Sequence, residues 1–155
     1  MAHVRARVRP DEEVFARQVL PPRAWPVFAD MPVADRRHAL DVADRLRSGG
    51  HDSPDLLAAA LLHDAAKGRR MRLWHRVAGV LLERLAPGPL RRLATDDPRS
   101  WRHPFWLYLH HGPMSADLAA RAGCSPSTAR LIRGVAGGEP EARLLRALRA
   151  ADDAS

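Results

Sequence analysis

The chain of 155 residues has one cysteine, Cys124, so no disulfide can form within it. It has a single isoleucine, Ile132, and no run in which apolar and polar residues alternate, which argues against strands. No apolar stretch reaches the roughly 18 residues of a membrane span, and the basic start MAHVRARVRP leads into no apolar run of the signal-peptide kind. No glycine-rich phosphate loop or base-reading motif is present. Lysine is almost missing too: of the 25 Lys and Arg, only Lys67 is lysine. These absences lead us to expect an all-α, soluble, cytoplasmic protein without a membrane partner. The length suits one domain with a real core. Residues 1–10 read as a flexible basic arm and residues 11–155 as a single helical domain. The sequence leaves the oligomeric state open.

Ala, Leu and Arg dominate, and the net charge of +7 favours an anionic partner such as a phosphate ester, nucleotide or nucleic acid. The chain is organised around DLLAAALLHDAAKG, Asp55 to Gly68. Ser53 is placed as N-cap, Pro54 as first helical residue and Gly68 as stop. From Leu56 to Leu62 every face is apolar, the pattern of a central helix. His63 and Asp64 interrupt it. A buried carboxylate without a partner protonates or finds a cation, and the adjacent imidazole makes a bound metal the simplest answer. Lys67 follows one turn later. In so arginine-rich a chain it reflects either chance or a need for a compact ammonium.

Other elements follow from spacing. A short helix is expected over Asp11 to Leu20, ended by Pro21 and Pro22, and another over Arg23 to Asp30. Pro32 opens VADRRHALDVADRLRSGG, whose stripe of Ala39, Val42, Ala43 and Leu46 places His38 at its edge. Past the central helix, Arg69 and Arg70 fall in a turn. An amphipathic helix is expected over Leu73 to Ala86, with His75 a packing or surface residue. Loops surround a short helix at Leu90 to Ala94, and Arg99 and Arg102 form either an anion-binding rim or a solvated basic loop. PFWLYLHHG packs three aromatics before His110 and His111, a pair that suggests a site without defining one. In PEARLLRALRAADDAS, Leu144, Leu145 and Leu148 set a buried stripe that Asp152 continues, while Asp153 rotates into water. A second inward carboxylate strengthens the metal reading.

His38, the adjacent His63 and Asp64, and the late Asp152 after Ala151 resemble the H, HD, D signature of the HD superfamily of metal-dependent phosphohydrolases. The likeness runs from about Arg36 to the end. HDAAKG is similar to the family's HDxGK stretch, with Ala66 in place of Gly. LHHGPMSADLAARAG is similar to a segment that brings further His ligands or substrate contacts in some members. The nearest likeness is to the small bacterial branch with nucleotide and dinucleoside-polyphosphate hydrolases.

The resemblance implies an HD-type helical bundle in which His38, His63, Asp64 and Asp152 bind one divalent metal. Mixed imidazole and carboxylate ligands suit Mn, Fe, Co, Ni or Zn better than Mg. It implies a catalytic role for Asp64, in orienting water, and for Lys67, in stabilising phosphate charge. Lys67, His110 and His111 are the implied substrate contacts, and a nucleotide or other phosphate ester the substrate. One departure is expected to matter: Val135 stands in LIRGVAGG where relatives with two metals tend to carry another His, which favours a mononuclear site and leaves room for a non-catalytic nucleotide- or metal-binding protein. The rival reading is a helix-turn-helix over Asp117 to Gly134. Leu118, Ala119, Ala129 and Ile132 would be its core, Gly123 its turn, Ser125 its cap, and Arg130 and Arg133 its DNA contacts. It leaves His63, Asp64 and Asp152 without a purpose, so nucleic acid is possible as a partner but not favoured.

Overall fold

The structure, a computed structural model, describes residues 7–67 and 87–155. The expected stop at Gly68, the turn at Arg69 and Arg70, and the amphipathic helix with His75 lie outside the described residues, as does most of the basic arm. The described residues are all-α, without strands. The helices are α1 (Pro10–Val19), α2 (Trp25–Ala29), α3 (Val33–Ser48), α4 (Pro54–Leu62), α5 (Pro87–Leu93), α6 (His103–Arg121), α7 (Pro126–Arg133) and α8 (Glu139–Asp153), with a 3₁₀ turn at Ala65–Lys67. None of them is long and apolar enough to cross a membrane.

The apolar run of α4 makes it the centre of the packing. Leu56, Leu57, Ala58, Ala59, Ala60, Leu61 and Leu62 are all buried, and α4 touches α1, α2, α3, α6, α7 and α8. The expected stripe of α3 is buried as well, with Leu40 added to Ala39, Val42, Ala43 and Leu46. Glu12 on α1, nearly buried, accepts from the Arg9 amide at 2.8 Å and from Arg37 Nη1 at 2.6 Å, which fastens α1 to α3. A cavity of about 720 Å³ lies between the C-terminal ends of α3 and α8, and Ala147, Ala150 and Ala151 form one wall.

Three expectations need correction. The central helix stops at Leu62 rather than running to Gly68. His63 Nδ1 turns back to the Ala60 carbonyl at 2.9 Å, the Lys67 amide bonds to the Asp64 carbonyl at 3.0 Å, and Ser115 Oγ accepts from the Ala66 amide at 2.9 Å. Tertiary bonding thus overrides the helical propensity of the two alanines and the lysine. The short helix expected at Leu90 to Ala94 begins at Pro87. Arg102 donates to the Leu93 and Arg92 carbonyls at 2.6 and 2.5 Å, capping this helix instead of rimming an anion site.

The tight helix pair of the rival reading exists. Gly123 takes φ +88°, and Ser125 Oγ caps α7 by accepting from the Thr128 amide at 3.0 Å. Ser125 also donates to Asp55 Oδ1 at 2.6 Å, tying the start of α7 to the start of α4. However, Arg130 is held by Glu141 and Arg133 by Asp117, so both arginines assigned to DNA are already ion-paired.

Candidate metal centre

Three chain segments meet at one point. His38 comes from the middle of α3, His63 from the residue that ends α4, and Asp152 from the last turn of α8. One ligand atom from each lies within 4.8 Å of the other two. Asp152 Oδ1 is the hub, 2.9 Å from His38 Nε2 and 3.3 Å from His63 Nε2. Asp153, one residue on, is exposed, as the helix phase requires.

Asp64 adjoins this set. Its Oδ2 receives Lys67 Nζ at 2.6 Å, and its Oδ1 stands 3.6 Å from both His63 Nε2 and His111 Nε2. The 3₁₀ turn explains the lysine's reach, because residues three apart eclipse there. His63 and His111 are oriented alike: each Nδ1 donates to the carbonyl one turn earlier, of Ala60 at 2.9 Å and Tyr108 at 2.7 Å. A carbonyl only accepts, so each ring, in its neutral form, carries its proton on Nδ1 and turns the Nε2 lone pair inward, the tautomer a metal ligand needs.

The charges of the cluster are strongly coupled. Burial disfavours a charged His63, yet Asp64 and Asp152 outweigh it and raise its pKa. Burial also opposes ionisation of Asp64, but His63, Lys67 and His111 hold its carboxyl below the ordinary value. His38 and His63 hold Asp152 far below the usual carboxylate range. Burial, and then the Lys67 charge, push His111 down. His63 Nε2 and Asp64 Oδ1 are both buried and, among the described residues, without a hydrogen-bond partner. With His63 neutral, its lone pair would face two carboxylate oxygens, so a proton or a metal ion must stand between them. Ligand atoms at about 2.0–2.1 Å from a tetrahedral ion lie about 3.3 Å apart, and the 2.9, 3.3 and 3.6 Å separations here bracket that spacing. His38, His63 and Asp152 could together hold a metal ion, and Asp64 lies beside that group rather than within it.

Beside the cluster is a cavity of about 150 Å³, walled by α6, α7 and α8 and lined on its polar side by His63, His111, Asp152 and Arg149. Of the residues singled out from sequence, His38, His63, Asp64, Lys67, His111 and Asp152 are brought together. His110 is not. Its ring stacks on Trp106 at 4.5 Å and lines a separate cavity with Arg91 and Leu109. Val135 does not occupy a helical site position either. Gly134, at φ +80°, ends α7 in a left-handed cap, and Val135 beyond it is 47% exposed, while Ile132 and Gly134 line the cavity. Sequence reasoning missed Ser115, whose only signal is a hydroxyl on an apolar helix face, and Arg149, which looks like one more surface arginine. No protein-family model, curated protein or solved structure matches the chain.

Proposed function

We propose that this chain is a metal-dependent phosphohydrolase acting on a nucleotide or another phosphate ester, with one divalent cation held by His38, His63, Asp64 and Asp152. The observation that carries the reading is the convergence of His38 Nε2 and His63 Nε2 on the Asp152 carboxylate, with Asp64 Oδ1 3.6 Å from His63 Nε2 and both of these atoms buried and unpartnered among the described residues. The likeness of these four residues to the H, HD, D signature supports the same chemistry. When bound, the cation supplies Lewis acidity toward water and a phosphoryl oxygen.

The chain's own residues then have distinct tasks. Asp64 keeps Oδ2 on Lys67 and presents Oδ1 to the centre, where it orients an attacking water by accepting its proton in a hydrogen bond. Lys67 fixes that carboxylate and brings positive charge to the side where phosphate charge develops. His111, neutral and with its Nδ1 proton on Tyr108, offers an acceptor at Nε2, so its role lies with water or the cation rather than as a donor to phosphate.

The test is metal analysis of the purified protein, then a screen of nucleotides and simple phosphate esters with Mn, Co, Ni, Zn and Mg. About one transition metal per chain and metal-dependent phosphate release are expected. Protein that holds no metal, and whose melting temperature is unmoved by added metal, would sink the reading.

A further inference from the structure

The cavity beside the metal cluster poses a recognition problem. A phosphoryl group entering it needs hydrogen-bond donors, yet most of the polar wall accepts. Asp152 is a carboxylate, and the His63 and His111 rings each spend their Nδ1 proton on a backbone carbonyl, of Ala60 and Tyr108. The remaining wall residues, Gly112, Leu131, Ile132, Gly134, Leu145 and Leu148, bring no charged side chain. Arg149 is the exception. It sits three residues before Asp152 on α8, which places both on one face of the helix.

Its guanidinium is held but not neutralised. Nη2 donates to the Gly134 carbonyl at 3.1 Å, and Arg149 forms no ion pair among the described residues. Its helix neighbour Arg146, in contrast, pairs with Glu139 at 2.8 Å. A Cβ on residue 134 would come within 3.3 Å of Arg149 Nη2, so the glycine that caps α7 also leaves room for the arginine to lie there. Among the described residues one of its five N–H donors is used, and the rest of the exposed planar fork is open to a bidentate contact.

Resting on the phosphohydrolase reading, we infer that Arg149 is the anion anchor of the site, and that the cavity admits the phosphoryl group of the substrate but not its organic part. The volume sets the second half of this statement. About 150 Å³ is the space of about five waters, and pockets that enclose a whole small molecule run from about 300 Å³ upward. The ester's organic part therefore stays outside, and specificity resides in the charged group.

The experiment measures binding of inorganic phosphate, by calorimetry, to metal-loaded and to chelator-treated protein, for wild type, Arg149→Ala, Arg149→Lys and Arg146→Ala. Arg149→Ala should weaken phosphate binding about 10- to 100-fold. Arg149→Lys should recover only part of the loss, and Arg146→Ala, which removes the same charge from the same helix, should bind like wild type. Adenosine should not compete with phosphate. Equal weakening by Arg146→Ala would reduce the effect to net charge and overturn the assignment. So would wild-type protein that binds phosphate in neither state, and competition by adenosine would overturn the size argument. Metal-dependent turnover with phosphate affinity unchanged in Arg149→Ala would remove the anchor and leave the hydrolase. Metal-free, inactive protein whose phosphate affinity still depends on Arg149 would keep the anchor and remove the hydrolase.

Discussion

Replacing Asp152 by alanine removes the one oxygen that both His38 and His63 approach, while the same change at Asp153 removes an exposed carboxylate one residue away. The two variants have equal composition and nearly equal helix propensity, so they differ in geometry alone. Let each be melted twice, once with metal at 100 times the wild-type dissociation constant and once with chelator. At that excess a bound metal adds about 2.7 kcal/mol. For a chain of this length each kcal/mol moves the midpoint by about 2–4 °C, so the wild-type difference should be about 5–10 °C. Asp153→Ala should keep that difference, and Asp152→Ala should reduce it to about zero. Taking the difference within each variant cancels any general loss of stability, which matters because Asp152 also ties α8 to α3 without metal. Equal metal-dependent shifts in the two variants would refute the ligand assignment.

Lys67→Met leaves the buried Asp64 without its nearest cation. Breaking such a pair costs about 3–5 kcal/mol, and about 3 is expected here because Lys67 is partly exposed; a change under about 1 kcal/mol in urea unfolding would show that His63 and His111 suffice. Stability of the chelated protein should fall on both sides of a mildly acidic maximum. Glu141, held down to about 2 by Arg130, the Gly137 amide and Ser127, stabilises above its ordinary 4.5 and loses that contribution as pH drops toward 2. The raised His63 stabilises fully below its ordinary 6.5 and ceases to as pH rises through its folded value. Urea titrations should show both limbs, with the alkaline one absent from His63→Gln; its persistence there would assign it elsewhere. Val135→His should leave metal content at about one per chain, since the side chain lies beyond the α7 cap and outside the cavity, and a second equivalent in a folded variant would contradict that placement.

What was legible in the sequence was periodicity. The stripe of Leu145 and Leu148 distinguished Asp152 from Asp153, and the stripe of α3 put His38 at its inner edge, because both depend only on 3.6-residue spacing within one helix. Ser125 and Gly123 were legible for a similar reason: capping and positive φ are local demands. The end of α4 was hidden because it is set by Ser115, 49 residues from its partner Ala66. The pairing of Arg130 and Arg133 was hidden because Glu141 and Asp117 belong to other helices. Arg149 escaped because a stripe argument sends every arginine to solvent, and only the fold puts a cavity beneath this one.

The contact between His38 and Asp152 spans 114 positions of sequence, and this makes it a cross-link as well as a ligand pair. Closing a flexible loop of that length costs about 4 kcal/mol in chain entropy before the constant term, as a disulfide between the same points would. A chain with one cysteine has no covalent way to hold its last helix to its third. A metal joining α3, α4 and α8 would serve in its place, with chelation playing the part of a reductant. Amide exchange in α8 should then quicken before that of α4 when metal is withdrawn, so that loss of the ion unzips the molecule from its C-terminal helix inward.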